Sequence, residues 1–312
     1  MEWYEVLVQQ TINGLTRGAV FALIALGYTM VYGIIELINF AHGDVFMLGL
    51  FLSLSIFTLL GMARTLTGWE LVTILPLVFL ATMLLTGMIN VTIDRLAYRP
   101  LRNSPRLAPL ITAIGVSFVI ENLAMLVVGP APVPYPDVFP SVDILYEWVG
   151  WDTKVFVTTK DLLVVGATMP LMIVLQYFVT RTGWGRAMRA TAQDRETAEA
   201  MGINVEKTIM LTFFIGGALA GAAGLIQGLY YNIGTYYIGY QAGLRAFTAA
   251  VLGGIGNMPG AALGGIVIGF LSAWSDQYIS ARWTNAIVFA ILILVLVFRP
   301  QGLLGERTPE KV

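Results

Sequence analysis

The residues with chemistry to offer are few and clustered. Glu36-Leu37-Ile38-Asn39-Phe40-Ala41-His42-Gly43-Asp44 sets an amide, an imidazole and two carboxylates between two long apolar runs with almost no loop. Polar groups at bilayer depth are costly and tend to line cavities or helix junctions. Asn39, His42, Gly43 and Asp44 are therefore candidates for a gate or a pathway wall. The plainer reading, compatible with the first, is a tight turn in which Asn39 and Asp44 cap helix ends. His42 is the only histidine and cysteine is absent, which argues against a metal site, a disulfide or a cysteine nucleophile. Glu121 and Asn122 lie inside another apolar run, where an ionisable group faces a bundle interior or water. Either a structural hydrogen-bond role or a pathway contact suits them.

A second cluster is basic and small. Gly183-Trp184-Gly185-Arg186-Ala187-Met188-Arg189-Ala190 runs on through Asp194 and Ala198 to Met201-Gly202-Ile203. The composition predicts one helix from about 186 to 201, with Gly202 as its C-terminal cap. Ala190, Asp194 and Ala198 are four apart and share a face that Gly202 extends. Such a face suits close docking into a partner's groove, with flanking arginines meeting acidic rims. An ordinary solvated loop helix is the alternative.

The elements that must position these groups are transmembrane helices. The chain is 57% hydrophobic and 12% charged, with a mean hydropathy of +0.77, against about 25% charged for a soluble domain. The bilayer is the solvent, and nothing in the composition points to nucleic acid. Apolar runs near 10–35, 43–60, 71–93, 107–129, 161–180, 208–230, 236–254, 260–275 and 284–298 predict an all-α integral membrane protein. It is a polytopic bundle of about 8–9 spans, with broken or re-entrant helices. The seventh and eighth runs are short, glycine-rich and joined by Gly256-Asn257-Met258-Pro259-Gly260, which reads as half-helices or a re-entrant pair.

Basic residues stay on the cytoplasmic side. Arg95, Arg99, Arg102 and Arg106 fill one loop. Arg181, Arg186, Arg189, Arg195 and Lys207 fill a second, and Arg299, Arg307 and Lys311 mark the tail. Residues 130–160 carry Asp137, Asp143, Glu147 and Asp152 against Lys154 and Lys160, with five prolines, and read as the external loop. With the C-terminus inside, nine crossings put the N-terminus outside and eight put it inside, and the first apolar run continues into the fold without a cleavage site. Gly216, Ala220, Gly224 and Gly228 form a small face that predicts close packing within the subunit. Tyr230 to Tyr240 reads as an interfacial belt or an external gate. A helix, a break and a helix occur near 10–60 and again near 208–254, the pattern of a pathway lined by two breaks.

Three further stretches carry a resemblance. They are Ala25-Leu26-Gly27-Tyr28-Thr29-Met30-Val31-Tyr32-Gly33-Ile34-Ile35 leading into Ile38–Asp44, Ala97-Tyr98-Arg99-Pro100-Leu101-Arg102, and Ala246 to Gly256 into Pro259-Gly260. With the run from Gly185, the chain resembles the branched-chain amino acid permeases of ABC importers, in their LivH-like branch, over nearly its whole length. Glu36, Asp44 and Trp184 depart modestly from the family pattern.

The resemblance implies one permease domain over 1–312, with 181–207 as the coupling loop and 130–160 outside, in a bacterial plasma (inner) membrane. Gly185, Arg186, Arg189, Ala190, Asp194, Ala198 and Gly202 would meet the ATPase. The partners implied are a second, LivM-like permease, two ATPase subunits, an external binding protein and lipid, with no cofactor. No G-x-x-x-x-G-K-[ST] phosphate loop occurs in the chain, so ATP hydrolysis would belong to another subunit. A permease for urea, short amides or other neutral amino acids would look similar. An ion-coupled secondary transporter would place more charge at mid-membrane.

Overall fold

The computed structural model describes residues 2–305, apart from Leu37, Ala63, Asn103, Arg106, Val149, Trp151 and Asp152. Arg106 and Asp152, used above for orientation, and the tail residues Arg307 and Lys311 lie outside the described residues. In hydrocarbon every backbone polar group needs an internal partner, so the apolar runs become helices. They are α1 (Trp3–Ile35), α2 (His42–Leu59), α3 (Trp69–Ile93) and α4 (Leu107–Val128). A two-residue strand β1 (Val133–Pro134) and a single-turn α5 (Ile144–Glu147) precede α6 (Thr159–Arg181). Two short helices follow, α7 (Gly183–Gln193) and α8 (Arg195–Ala200), then α9 (Val205–Tyr231), β2 (Ile233–Gly234), α10 (Ile238–Gly253), α11 (Met258–Ser275) and α12 (Thr284–Phe298). α3 runs on through a π turn, Asp94–Tyr98, and a 3₁₀ turn, Arg99–Leu101; α11 runs on through a π turn, Asp276–Ser280.

Seven of these helices are long and apolar enough to cross a membrane, and α12 is a shorter apolar one. α11 with its π turn is a full-length span of 23 residues. The expected half-helix is therefore absent there. Asn257 caps it by accepting the Gly260 N–H, and Pro259 sits in its first turn, so the glycines that suggested a break serve its packing instead. α10, at 16 residues, is the short member of the pair.

α1 and α9 form the core. In their most apolar windows 89% and 78% of residues are buried, against 11% for α4 and 22% for α6. The small face of α9 packs within the subunit, as its spacing predicts. Gly216 lies against Gly27 of α1, Gly224 against Phe46 and Leu50 of α2, and Gly228 against the Tyr135 ring.

The two ends of the bundle are chemically distinct. At one end Arg99 and Arg102 pair with Glu206 at the start of α9, and Arg195 donates to the Ile34 carbonyl at the end of α1 at 2.9 Å. There too Asn257 donates to the Leu304 carbonyl. At the other end Lys160 pairs with Asp137 at 2.7 Å and donates to Asn232. β1 and β2 pair antiparallel there, Gln9 donates to the Phe156 carbonyl, and Thr65 to that of Asp137. The start of α1 thus shares an end with the segment 129–158.

Where helices touch through glycine, added volume has nowhere to go. A Cβ on Gly49 would meet the Gly221 backbone, whereas one on Gly115 meets nothing within 4 Å. Gly49→Leu is expected to lower the thermal midpoint of the purified protein, in line with overpacking costs of about 1–3 kcal/mol or more. Gly115→Ala should hold or raise it, by up to about 1 kcal/mol. Equal midpoints for the two variants would contradict this packing.

Candidate functional site

The segment between α1 and α2 turns back into the bundle. α1 ends at Ile35, yet His42, the first residue of α2, packs on Gly27 and near Gly216. Gly27 lies eight residues before that end, about 12 Å at 1.5 Å per residue. α2 therefore starts well inside the bundle. A Cβ on Gly43 would strike the Gly239 carbonyl and the Gly243 Cα, so the first turn of α2 lies directly on the first turns of α10. Two helix N-termini, each carrying positive partial charge, meet at this contact.

Both breaks are made the same way. Glu36 caps α1 in the left-handed conformation at φ 53°, and Asn232 caps α9 at φ 54°; these are the only non-glycine residues with positive φ among the described residues. α1 runs toward the arginine-rich end and α9 away from it, so the two broken pairs, α1–α2 and α9–α10, are inverted relative to each other. Inverted pairs of broken helices are a recurring way to build a central route.

The polar residues predicted for this junction are brought together. Asn39, His42 and Asp44 are buried. Asn39 does not cap a helix: the cap position of α2 is Ala41, with no side-chain bond. Its Oδ1 instead accepts the Tyr98 hydroxyl at 2.6 Å. Asp44 Oδ2 accepts from Ser117 of α4 at 2.5 Å, and the carboxylate sits in the first turn of α2, where the helix dipole favours it. His42 stacks edge-on against Tyr28, with ring centroids 4.8 Å apart. The capped-turn reading does not hold, because these side chains point into the bundle.

Glu121 lies one helical turn beyond Ser117, on the same side of α4 as Asp44's partner. Asn122 is exposed, and its amide bonds back to the Phe118 carbonyl at 2.7 Å. It faces away from the interior of this subunit, contrary to expectation, because α4 lies at the periphery and offers only one side to the core. Beside the junction, Ser117, Tyr28, Phe40, Phe118, Tyr240 and Phe247 border a small aromatic cavity of about 60 Å³.

The second predicted site is rearranged. The single helix expected from 186 to 201 is two, broken at Asp194, whose backbone is extended at φ −158° and ψ 115°. Its side chain accepts from the Glu196 and Thr197 N–H groups and so starts α8. Ala190, Asp194 and Ala198 therefore do not form one continuous face. Ala198 is buried, as is Gly185, which packs on the Phe178 and Val179 carbonyls. Arg189 donates to the Val179 carbonyl. Arg186, Asp194 and Gly202 are exposed and Ala190 is half-buried. Gly202 does terminate the helix: φ is +83°, its N–H reaches the Glu199 carbonyl, and that of Ile203 reaches Ala198, the paired bonds of a glycine-ended helix.

Between α8 and the end of α1 lies a charged cleft of roughly 400 Å³, bordered by Glu36, Arg102, Asp194 and Arg195. Burial holds the Arg195 guanidinium below its usual pKa, with Arg102 acting in the same sense and Glu36 opposing. Arg102 forks onto both oxygens of Asp94 at 2.7 and 2.8 Å.

Comparison with known proteins decides the family. The model described as "Branched-chain amino acid transport system / permease component" matches residues 10–296. This chain belongs to that permease family. The permease protein LivH of the high-affinity branched-chain amino acid transport system of Escherichia coli K12 is 43% identical over all of this chain and 99% of its own. BraD of Pseudomonas aeruginosa, a permease of the same system type, is 42% identical over 98% of each. The xylose permease XylH of E. coli K12 is 30% identical, over 51% of this chain and 40% of its own. No solved structure matches. The protein is thus a transporter component, a multi-pass membrane permease.

Within this permease, sequence reading missed Tyr98, Ser117 and the α10 glycines as partners of the junction. Tyr98 stands in the family-like run Ala97–Arg102, the one available signal. Removing its hydroxyl would leave Asn39 Oδ1 buried without a donor, at a cost of about 1–3 kcal/mol. Tyr98→Phe and Asn39→Ala are expected to be non-additive: in a double-mutant cycle read by thermal stability, the pair should show a coupling of about 1 kcal/mol. Additive effects would show that the bond is not made.

Proposed function

We propose that the protein is one membrane-spanning subunit of an ATP-driven importer, carrying leucine, isoleucine and valine released by an external binding protein. The observation that carries this is the end-to-end match to LivH and BraD, which spans every element described above. The inverted pair of broken helices supports a route through this chain near Gly43 and Gly239. In this reading the arginine-rich end is cytoplasmic, the segment 129–158 is external, and the membrane is a bacterial inner membrane. Asn39, His42, Gly43 and Asp44 line or gate the route, with Glu121 on the α4 face beside it and Asn122 on the outer side of α4. A second, LivM-like permease completes the route.

The α7–α8 segment is proposed to meet an ATPase subunit. Arg186, Arg189, Asp194 and Gly202, with the half-buried Ala190, contribute surface, while Gly185 and Ala198 hold the segment in shape. Met201 supports this reading: it is 79% exposed at the arginine-rich end, where a free apolar side chain would otherwise face water. The link from Arg195 to Ile34 offers a mechanical path from this segment to the α1–α2 break.

Reconstituted with its partner subunits, the protein should take up leucine only with ATP inside and binding protein outside, with competition by isoleucine and valine and none by urea. Uptake that ignores ATP and collapses with an ionophore would instead make it an ion-coupled carrier. Met201→Asp is expected to lower binding-protein-stimulated ATP hydrolysis at least about tenfold, with insertion and amount unchanged. Unaltered stimulation would remove α8 from the contact.

A further inference from the structure

A polar cluster separate from the α2–α10 contact lies toward the opposite end from the arginine loops. Arg17 of α1 pairs with Asp276, at the end of α11, at 2.5 Å. Asp276 also accepts from Thr284 at 2.5 Å. Arg245 of α10 is held by Asn285, whose Oδ1 accepts from its Nε at 3.1 Å and its Nη2 at 2.9 Å. Among the described residues no carboxylate lies within ion-pair distance of Arg245. The cluster thus holds two guanidinium groups and one carboxylate, with Tyr231 the remaining titratable group at its rim.

These groups border a cavity of about 270 Å³ that also has an apolar floor of Val20, Phe21, Ile238 and Ala242. Gln227 and Gln241 supply amide donors and acceptors on its walls. Ile238, Gln241, Ala242 and Arg245 recur at helical spacing, so one face of α10 forms this wall of the cavity. Uncompensated positive charge at membrane depth is costly and marks a site that awaits a partner. A planar fork such as Arg245 matches a carboxylate. Apolar pockets with a few convergent polar groups are the usual form of small-molecule sites.

We propose that this cavity receives the amino acid itself after release from the binding protein. The α-carboxylate lies on Arg245, the ammonium against Asp276 and the amide oxygens, and the branched side chain on the apolar floor. The proposal rests on the importer reading above and adds a substrate site to it. It explains a second arginine where a structural ion pair requires only one.

The test uses the unaltered complex in nanodiscs without binding protein, with contact detected by saturation-transfer NMR. Leucine and 4-methylpentanoate, which keeps the carboxylate and lacks the ammonium, should both bind and compete. 3-Methylbutylamine, which lacks the carboxylate, should bind at least about tenfold more weakly. Arg245→Gln should weaken leucine binding by a similar factor, and Arg245→Lys should restore part of it. The ligand series does not depend on any variant folding. Equal binding of the amine and the carboxylate, no leucine contact at all, or leucine binding unchanged in an assembled Arg245→Gln complex would each overturn the proposal. ATP-dependent leucine uptake by the same preparation separates the two claims: uptake without cavity binding removes this site alone, and absent uptake removes the importer reading.

Discussion

Two helices that begin inside a membrane bundle create a debt of unpaired N–H groups, and the rest of this structure is arranged around meeting it. The first turn of any helix leaves four such groups without intrahelical partners, and hydrocarbon supplies no water to satisfy them. In α2 the connecting segment does so itself: the N–H of His42 reaches the Asn39 carbonyl, and those of Asp44 and Val45 reach Ala41. In α10 the Ile238 N–H reaches Thr235. Each connection must therefore curl tightly, and each curl begins at a left-handed cap, Glu36 or Asn232. Glycines 43, 239 and 243 then let the two starting turns touch, which keeps both ends buried in protein instead of lipid.

That arrangement explains which features were legible in the sequence. Span positions followed from hydrocarbon thickness, so α1, α2, α3, α4, α6, α9, α10, α11 and α12 all fall close to their apolar runs. The spacing of Gly216, Ala220, Gly224 and Gly228 was readable because helix packing is periodic. The partners of the junction were not, since Tyr98 reaches Asn39 across 59 residues and Ser117 reaches Asp44 across 73. Nothing local encodes such pairings. The break at Asp194 carried a local signal, because aspartate is a preferred N-cap. The four-residue spacing of Ala190, Asp194 and Ala198 pointed to a continuous helix, and the cap bonds to Glu196 and Thr197 outweighed it.

The arginine-rich end ties the connecting segments to the breaks. Arg195 grips the last turn of α1 through the Ile34 carbonyl, a cation at a helix C-terminus where the dipole favours it. Tyr98 grips the return segment through Asn39, and Arg102 links the same loop to Asp94 and to Glu206 of α9. Displacement of α8 would draw on α1 directly above the first break, and displacement of α9 would draw on Tyr98 through Arg102.

The outer helices complete the physical account. α4 is almost entirely open in its apolar stretch, yet it carries Ser117, Glu121 and Asn122, and Ser117 is bonded to the buried Asp44. Asn122 answers its own amide within the helix. Glu121 has no such local device, and a carboxylate facing hydrocarbon at mid-bilayer costs about 2.5–3.5 kcal/mol even by the mildest measures. The line Asp44, Ser117, Glu121 therefore requires protein or water opposite it. The aromatic cavity bordered by Phe118, Tyr240 and Phe247 lies along the same line, with Tyr240 55% exposed. A surface of this composition adjoins the contact where α2 and α10 begin.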